Sequence, residues 1–191
     1  MRLGKQGHEM RLTRVAIILF VIATALGPSY TAQGYSPIVH VISELAAQNT
    51  PHNYIMAGAF VALGAGILYD GVRTFHRTLL PFMLFGLAFG AAGLFGHKPI
   101  TPSVSYIAWV DSMHSILATV SGIALTIGFG WQVFAAKSLK QKRLAAALAL
   151  VCVGMPMLMF QMPQFQGLIQ RAMYIVVFAW LWLFYPDRIH A

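Results

Sequence analysis

The sequence predicts an all-α integral membrane protein, a bundle of six membrane-spanning helices with both termini on the cytoplasmic side. Composition is the first reason, because 58% of the residues are hydrophobic, only 9% are charged and the mean hydropathy is +0.69. A soluble domain would carry roughly a quarter charged residues. The second reason is that six apolar runs account for nearly all of the 191 residues, which predicts a single transmembrane domain over 1–191.

The first predicted span covers 14–32 and follows a basic arm that contains Arg2, Lys5 and Arg11. A charged start followed by an apolar run is also typical of a signal peptide, but the segment after it is a poor cleavage site. We therefore predict an uncleaved span. Gly27-Pro28 lies near its outer end, where a kink or a helix end is tolerated.

The second and third predicted spans cover 53–71 and 79–96, and both carry small residues on one face. These residues recur at four-residue spacing: Gly58, Ala62 and Gly66 in the second span, then Gly86 and Gly90 in the third. Small side chains let helix backbones approach closely in a membrane. The pattern predicts tight helix contact, either within the chain or in an oligomer.

The last three predicted spans cover 110–136, 144–160 and 169–185. Pro156 interrupts the fifth of the six, and a basic run from Lys137 to Arg143 separates it from the fourth. The sixth ends in Trp180, Trp182 and Tyr185, a pattern typical of the aromatic belt at a membrane interface.

Orientation follows from the placement of lysine and arginine. With the N-terminus inside, eleven of the thirteen Lys and Arg residues fall on the inner side, and only Lys98 and Arg171 fall outside. Cytoplasmic loops carry this excess, so the sequence indicates a multi-pass protein of the inner (plasma) membrane. The net charge of +8 is then a topology and anionic-lipid signal, and we expect no nucleic-acid partner.

The outer side collects a set of polar residues that need partners. Its members are His40, Glu44, His52, His97, Asp111, His114 and Arg171. An arginine at the start of an apolar helix usually pairs or marks a site. Glu44 and Asp111 are the acidic residues on its side, so we predict that Arg171 forms a charge cluster with one or both of them. The competing interpretation is that these residues only clamp the outer loop to the bundle, or that Arg171 extends to lipid head groups.

Local spacing adds a possible metal site. If 38–47 is a short helix, His40, Ser43 and Glu44 share one face, and Asp111 and His114 share a face at i and i+3. Helical bundles use such carboxylate and imidazole pairs as metal ligands. The candidate zinc ligands are His40, His97, Asp111 and His114. The HExxH motif and a cysteine set are both missing, since Cys152 is the single cysteine.

Five short motifs resemble the bacterial and archaeal membrane domain-of-unknown-function family 998. They are Tyr35-Ser36-Pro37, Ile42-Ser43-Glu44-Leu45, Gly93-Leu94-Phe95 before a loop that ends in His114, Gly167-Leu168-Ile169-Gln170-Arg171 and Trp180-Leu181-Trp182. The resemblance covers nearly the whole chain. It implies a six-span protein whose typical polar residues are here Ser43, Glu44, His114 and Arg171, and it implies no particular activity.

The chain is also distantly similar to the alkaline ceramidase and adiponectin-receptor superfamily. That similarity implies a zinc ion held by three histidines beside a serine and an aspartate. The residues of those types here are His40, His97, His114, Ser43 and Asp111. The chain departs from that superfamily in having six predicted spans rather than seven.

Three functions are compatible with these residues. The first is an outward-facing pocket, rimmed by Trp109 and Phe165, in which Arg171 binds the phosphate or carboxylate of a lipid head group or small anion. Ser43, Glu44 and His114 would bind its polar groups. The alternative is a membrane-embedded hydrolase of a lipid amide or ester, with Glu44, Ser43 and Asp111 as catalytic residues and possible zinc. The third, a haem protein, needs two facing histidines at membrane depth, so we expect neither haem nor a nucleotide.

Overall fold

A computed structural model describes residues 11–186, and the basic residues Arg2, Lys5 and Arg188 used in the orientation argument lie outside this range. Within it the chain forms six α-helices, joined partly by short 3₁₀ helices at Ile42–Ala46, Arg77–Leu79 and Pro163–Phe165. The α-helices are α1 Leu12–Tyr30, α2 Asn53–Arg73, α3 Leu80–Ala92, α4 Ala108–Ala135, α5 Leu139–Gln161 and α6 Gln166–Phe184. The predicted all-α class is confirmed for the described residues.

Five of the six helices are long and apolar enough to cross a membrane, and α3 is the exception. At 13 residues it is about 20 Å long, against roughly 30 Å for a hydrocarbon core. The predicted span 79–96 is too long because the chain turns after Ala92, where Phe95 N–H donates to the Ala92 carbonyl at 3.3 Å. Since most of α3 is buried among its neighbours, its short length is compatible with a multi-pass membrane protein.

The fifth helix differs from its predicted bounds in the other direction. Ser138 and Gln141 form a capping box, so α5 begins at Leu139 and includes Lys140, Lys142 and Arg143, which the sequence places in a loop. It also continues through Pro156 to Gln161. Proline inside a membrane helix removes one amide donor, which neighbouring groups can offset.

Consecutive helices pack side by side with alternating direction, and α1 and α6 complete the ring with a sparser contact. The connections 31–52, 93–107 and 162–165 lie at one end of the bundle, which we call the Glu44 end. The closest helix approach joins α2 to α3, where a Cβ on Gly64 would meet the backbone of Gly86 and Gly90. The predicted glycines of α3 therefore do pack against α2, but their partner Gly64 was not predicted. Of the glycines predicted for α2, Gly66 faces the start of α1 and Gly58 has open space beside it.

Aromatic rings fill the middle of the ring of helices. Phe20 of α1 contacts Phe60 of α2 at 5.1 Å and Phe178 of α6 at 5.3 Å between ring centroids. Nearer the opposite end, Phe82 of α3 stacks on Trp180 of α6 at 4.9 Å. The core thus links α6 to the earlier helices through side chains and leaves the backbones of α1 and α6 apart.

Candidate functional site

The connection after α1 docks on the first turn of α6. The N–H groups of Gly167 and Leu168 donate to the carbonyls of Val39 at 3.2 Å and Ile38 at 3.0 Å. Amides in the first turn of a helix have no partner within the helix. The loop therefore supplies acceptors that α6 lacks, and its position is fixed by backbone atoms.

Arg171, in the second turn of α6, reinforces this docking. Its Nη1 donates to the carbonyls of Pro37 at 2.8 Å, His40 at 3.0 Å and Gly167 at 3.0 Å. Its Nη2 donates to the Tyr35 hydroxyl at 2.6 Å, and the guanidinium carbon lies 5.9 Å from the centre of the Tyr35 ring. The guanidinium thus spans a turn of loop from residue 35 to residue 40.

Neighbouring residues complete the joint. Gln170 accepts the Ile42 amide through Oε1 at 2.6 Å, and the Tyr35 hydroxyl donates to the Val41 carbonyl at 3.1 Å. Gly167 has to be glycine, because a Cβ there would meet the His40 and Pro37 carbonyls. The segments Tyr35–Pro37, Ile42–Leu45 and Gly167–Arg171, far apart in sequence, therefore meet at one place.

Ser43 and Glu44 lie on the 3₁₀ helix Ile42–Ala46, at the inner edge of this loop. The predicted helix over 38–47 is wrong in its first half, since His40 instead closes a turn in which its Nδ1 accepts the Ser36 amide at 2.9 Å. Glu44 accepts the Val41 amide at 2.7 Å through Oε2. Burial raises the pKa of its carboxyl above 4.5, and the Val41 amide and the charges of Lys98 and Arg171 oppose this rise.

Among residues 11–186, Arg171 makes no ion pair with Glu44 or Asp111 within 4.0 Å. The contacts of its guanidinium are backbone carbonyls and a hydroxyl. The charge of Arg171 lowers the pKa of Glu44 without a direct contact between them. Asp111 instead accepts the Lys98 amide at 2.8 Å. The contacts made by Arg171 therefore correspond to the competing interpretation, a clamp on the loop.

A second polar corner joins α3 to α4. His114, only 3% exposed, donates from Nδ1 to the carbonyls of Ala92 at 2.9 Å and Phe95 at 2.8 Å. Its ring meets the His97 ring edge-on at 5.4 Å, and His97 Nδ1 lies 3.8 Å from Asp111 Oδ1. Burial lowers the pKa of His97, and the Lys98 carbonyl and the charge of Asp111 oppose this change. His114 therefore caps the C-terminal end of α3.

Gln48 holds the two loops of this end together and was missed by sequence reasoning. Its Nε2 donates to the Gly96 carbonyl at 2.8 Å and its Oε1 accepts the Ile107 amide at 2.9 Å. The backbone amide of Gln48 donates to the His97 carbonyl at 2.9 Å. A lone glutamine in a loop carries no pattern in the sequence, so nothing there could have identified it.

The candidate metal ligands do not form a metal site in the described part of the chain. His97, Asp111 and His114 are neighbours, but His40 belongs to the loop on α6. Across residues 11–186, no group of three or more His, Cys, Asp and Glu side chains is placed to hold a metal ion. The predicted zinc site is therefore not formed by these residues.

A cleft of about 540 Å³ lies between α1 and α6, directly beneath the docked loop. From α1 it is lined by Ile17, Phe20, Val21, Thr24, Ala25 and Pro28. From α6 it is lined by Arg171, Tyr174, Ile175, Phe178, Ala179 and Trp182. Both sets follow the i, i+3, i+4 pattern of one helix face, and Pro37 and Ile42 of the loop close the top.

Arg171 is the one predicted ligand-binding residue that lines this cleft. Ser43, Glu44, Trp109 and His114 do not line it. Trp109 is 62% exposed in the first turn of α4, and its ring centroid lies 6.2 Å from that of Phe95. The cleft beside Arg171 is thus apolar and runs parallel to α1 and α6.

Comparison with known proteins adds a family. A family model described as "Protein of unknown function (DUF998)" matches residues 14–185, which include all six helices apart from the first residues of α1. No curated protein and no solved structure matches the chain. Because the match covers most of the sequence, the chain belongs to the DUF998 family of proteins of unknown function.

Proposed function

We propose that this protein binds an amphiphile with one acyl chain in the α1–α6 cleft and an anionic head group at Arg171. The observation that carries the proposal is the composition of the cleft. Arg171 is the charged residue among its lining residues, and the others are apolar apart from the Thr24 and Tyr174 hydroxyls. Ligand pockets typically combine such an apolar body with one or two polar anchors.

Arg171 retains donors for this role despite its loop contacts. Guanidinium carries five N–H groups, and here Nη1 and one Nη2 hydrogen serve the loop. Within the described residues, Nε and the second Nη2 hydrogen have no protein acceptor. Phosphate and carboxylate oxygens accept two parallel bonds from such a fork. The clamp holds the guanidinium still, which supports a preorganised head-group site.

The orientation of the protein is part of the proposal. We propose that the Glu44 end faces outward in the plasma membrane, because the lysine and arginine residues of the described inner connections greatly outnumber Lys98 and Arg171. A ligand head at Arg171 would then lie at the outer surface. Since the cleft opens sideways between helices, its ligand would enter from the lipid phase.

The hydrolase alternative receives no support from the geometry. Ser43, Glu44 and Asp111 make no hydrogen bonds with one another within residues 11–186, and Asp111 is engaged by the Lys98 amide. The donor set for zinc is also incomplete in that range. We therefore propose binding, not hydrolysis.

Photolabelling tests the proposed function. The purified protein in nanodiscs is exposed to a fatty acid that carries a diazirine on its chain, and the labelled peptides are identified by mass spectrometry. We expect labelling on α1 and α6. Val21→Trp should abolish it, since Val21 is 52% exposed and lines the cleft.

The matched control is Ile22→Trp, because Ile22 is 49% exposed and lies outside the cleft. It should leave labelling unchanged. The corresponding fatty alcohol, which has no anionic head, should label roughly tenfold less, as expected for a lost charged hydrogen bond. Equal labelling of wild type and Val21→Trp would refute binding in this cleft.

A further inference from the structure

We infer that the cleft selects by length, and that it takes one acyl chain of about 13 carbons extended along α6 from Arg171 to Trp182. The inference rests on the proposed function and narrows its ligand to a class. The shared chemistry is a single medium-length chain with an anionic oxygen at one end, whether it belongs to a fatty acid, a lysophospholipid or one chain of a phospholipid.

The register of the two helices defines the top and the bottom of the cleft. Phe20 contacts Tyr174 at 6.3 Å and Phe178 at 5.3 Å, so it lies level with the turn between them. Antiparallel packing then places Thr24 and Ala25 level with Arg171. Thr24 is polar, and its hydroxyl lies 3.8 Å from Met56 Sδ, a weak contact. Two polar side chains therefore mark the same depth, at the head of the cleft.

The lower end is closed by a contact between the same two helices. Arg14 Nε donates to the Trp182 carbonyl at 3.1 Å, and its guanidinium carbon lies 5.8 Å from the centre of the Trp182 ring. The lining residues reach no lower than Ile17 and Trp182. A chain that descends from Arg171 therefore ends at the indole ring.

The distance between these ends sets the length. Arg171 and Trp182 are eleven residues apart on one helix, a rise of about 16 Å. A C–C bond of about 1.52 Å with a bond angle of about 111° advances an extended alkyl chain by roughly 1.3 Å per carbon, so roughly 13 carbons fill this distance.

The volume sets the number of chains. If a methylene takes about as much space as a water molecule, roughly 30 Å³, a volume of about 540 Å³ accommodates roughly 18 such groups. That is enough for one chain and too little for two of 13 carbons. Inside a bilayer, water does not drive an acyl chain into an apolar cleft. The cleft can therefore distinguish acyl chains only by how well their shape and length fit it.

A competition series tests the inference. Saturated fatty acids of increasing length compete with the diazirine probe for wild-type protein in nanodiscs of constant composition. We expect the strongest competition from roughly 12 to 14 carbons and roughly tenfold weaker competition from 18, since a longer chain would be overpacked against the Trp182 ring at the lower end. Lysophospholipids and diacyl phospholipids with chains of the same length form parallel arms that identify the source of the chain.

Two variants should move the floor of the cleft, which is its lower end at Trp182, in opposite directions. Trp182→Ala should shift the preferred length upward. Ala179→Phe should shift it downward to roughly nine carbons, because residue 179 is about 12 Å below Arg171. Ala147→Phe on α5 is the matched control, since Ala147 is also exposed and lies outside the cleft.

The possible results separate the two claims. If the probe labels the cleft but competition does not depend on chain length, or neither floor variant shifts the optimum, length selection is refuted and binding in the cleft stands. If Val21→Trp fails to reduce labelling, the proposed function is refuted and the length inference with it. An optimum that moves down with Ala179→Phe and stays in place with Ala147→Phe supports the inference.

Discussion

Arg171 and His114 perform the same task at the Glu44 end and differ in what lies beside them. Each donates to backbone carbonyls of another segment, Arg171 to Pro37 and His40 and His114 to Ala92 and Phe95. His114 is 3% exposed and enclosed by the α3–α4 corner, whereas Arg171 is half-buried and borders a cleft of about 540 Å³. A polar residue at a membrane boundary therefore need not mark a ligand site, and adjacent empty space is the better criterion.

The chemistry of the two side chains adds to the difference. An imidazole ring has two nitrogens at most to donate from, and His114 uses Nδ1 on the carbonyls that end α3. Guanidinium has five donors and stays charged, so Arg171 can hold the loop and still present hydrogens to an anion. The same structural role thus leaves Arg171 with more donors to spare than His114 has in total.

The largest expected effect follows removal of the Arg171 clamp. Arg171→Ala should reduce the free energy of unfolding by about 4 kcal/mol, because it leaves two loop carbonyls and the Tyr35 hydroxyl without their charged donor. Hydrogen exchange should accelerate at residues 36–42, and cleft labelling should be lost.

Arg171→Lys is the informative partner of this variant. It keeps the charge but not the fork, so stability and loop protection should be only partly restored. Unchanged exchange at 36–42 in Arg171→Ala would show that the loop does not depend on this contact.

Gly167→Ala tests the same corner by crowding. A Cβ at this position would meet the His40 and Pro37 carbonyls, and these are backbone atoms that cannot rotate away. We expect a loss of about 3 kcal/mol, measured by thermal or denaturant unfolding in detergent. Gly122→Ala on α4 is the control, since nothing lies within 4 Å of its added Cβ, and it should be neutral or slightly stabilising. Equal behaviour of the two alanine variants would contradict the close docking of the loop.

His114→Ala should break the other corner and sharpen the comparison. It removes the donor from the Ala92 and Phe95 carbonyls and leaves a small cavity, with an expected loss of about 2 kcal/mol. Exchange should accelerate at 93–107 while fatty-acid labelling of the α1–α6 cleft stays at the wild-type level. Loss of labelling in this variant, at a temperature where it remains folded, would show that the two corners are coupled.

The smallest effect concerns Glu44 and pH. Burial raises the pKa of its carboxyl above 4.5, so the folded state disfavours the ionised form. The contribution of Glu44 to stability is therefore present below pH 4.5 and is lost as pH rises through the raised pKa. Melting temperatures should decline slightly over this interval in wild type and stay flatter in Glu44→Gln. If the melting temperature of wild type instead rose with pH relative to that of Glu44→Gln, a raised pKa of Glu44 in the folded state would be contradicted.

Much of the fold was predictable because apolar length is a strong local signal. Four spans, those of α1, α2, α4 and α6, were located with bounds that differ from the structure by at most three residues. The errors fall where a specific contact decides the end of a helix. His114 and a tight turn end α3 at Ala92, and the capping box at Ser138 starts α5 before the expected position.

The site was predictable in part for a similar reason. Scarcity of charge identified Arg171, Glu44 and Asp111, because an ionisable residue in an apolar chain stands out. Their partners could not be found this way. Opposite charge suggested a carboxylate for Arg171, but the uncharged carbonyls of a loop 131 and 134 positions away in sequence took that place.

The sequence by itself determined a helical membrane protein with an isolated arginine at the head of its last helix. It could not reveal the cleft, since helices in lipid are apolar on every side and the faces Ile17–Pro28 and Arg171–Trp182 look like any others. Only the tertiary structure sets these two faces opposite each other, because aromatic side chains fill the core and leave the first and last backbones apart. That separation is a property of packing among distant segments, which no local pattern encodes.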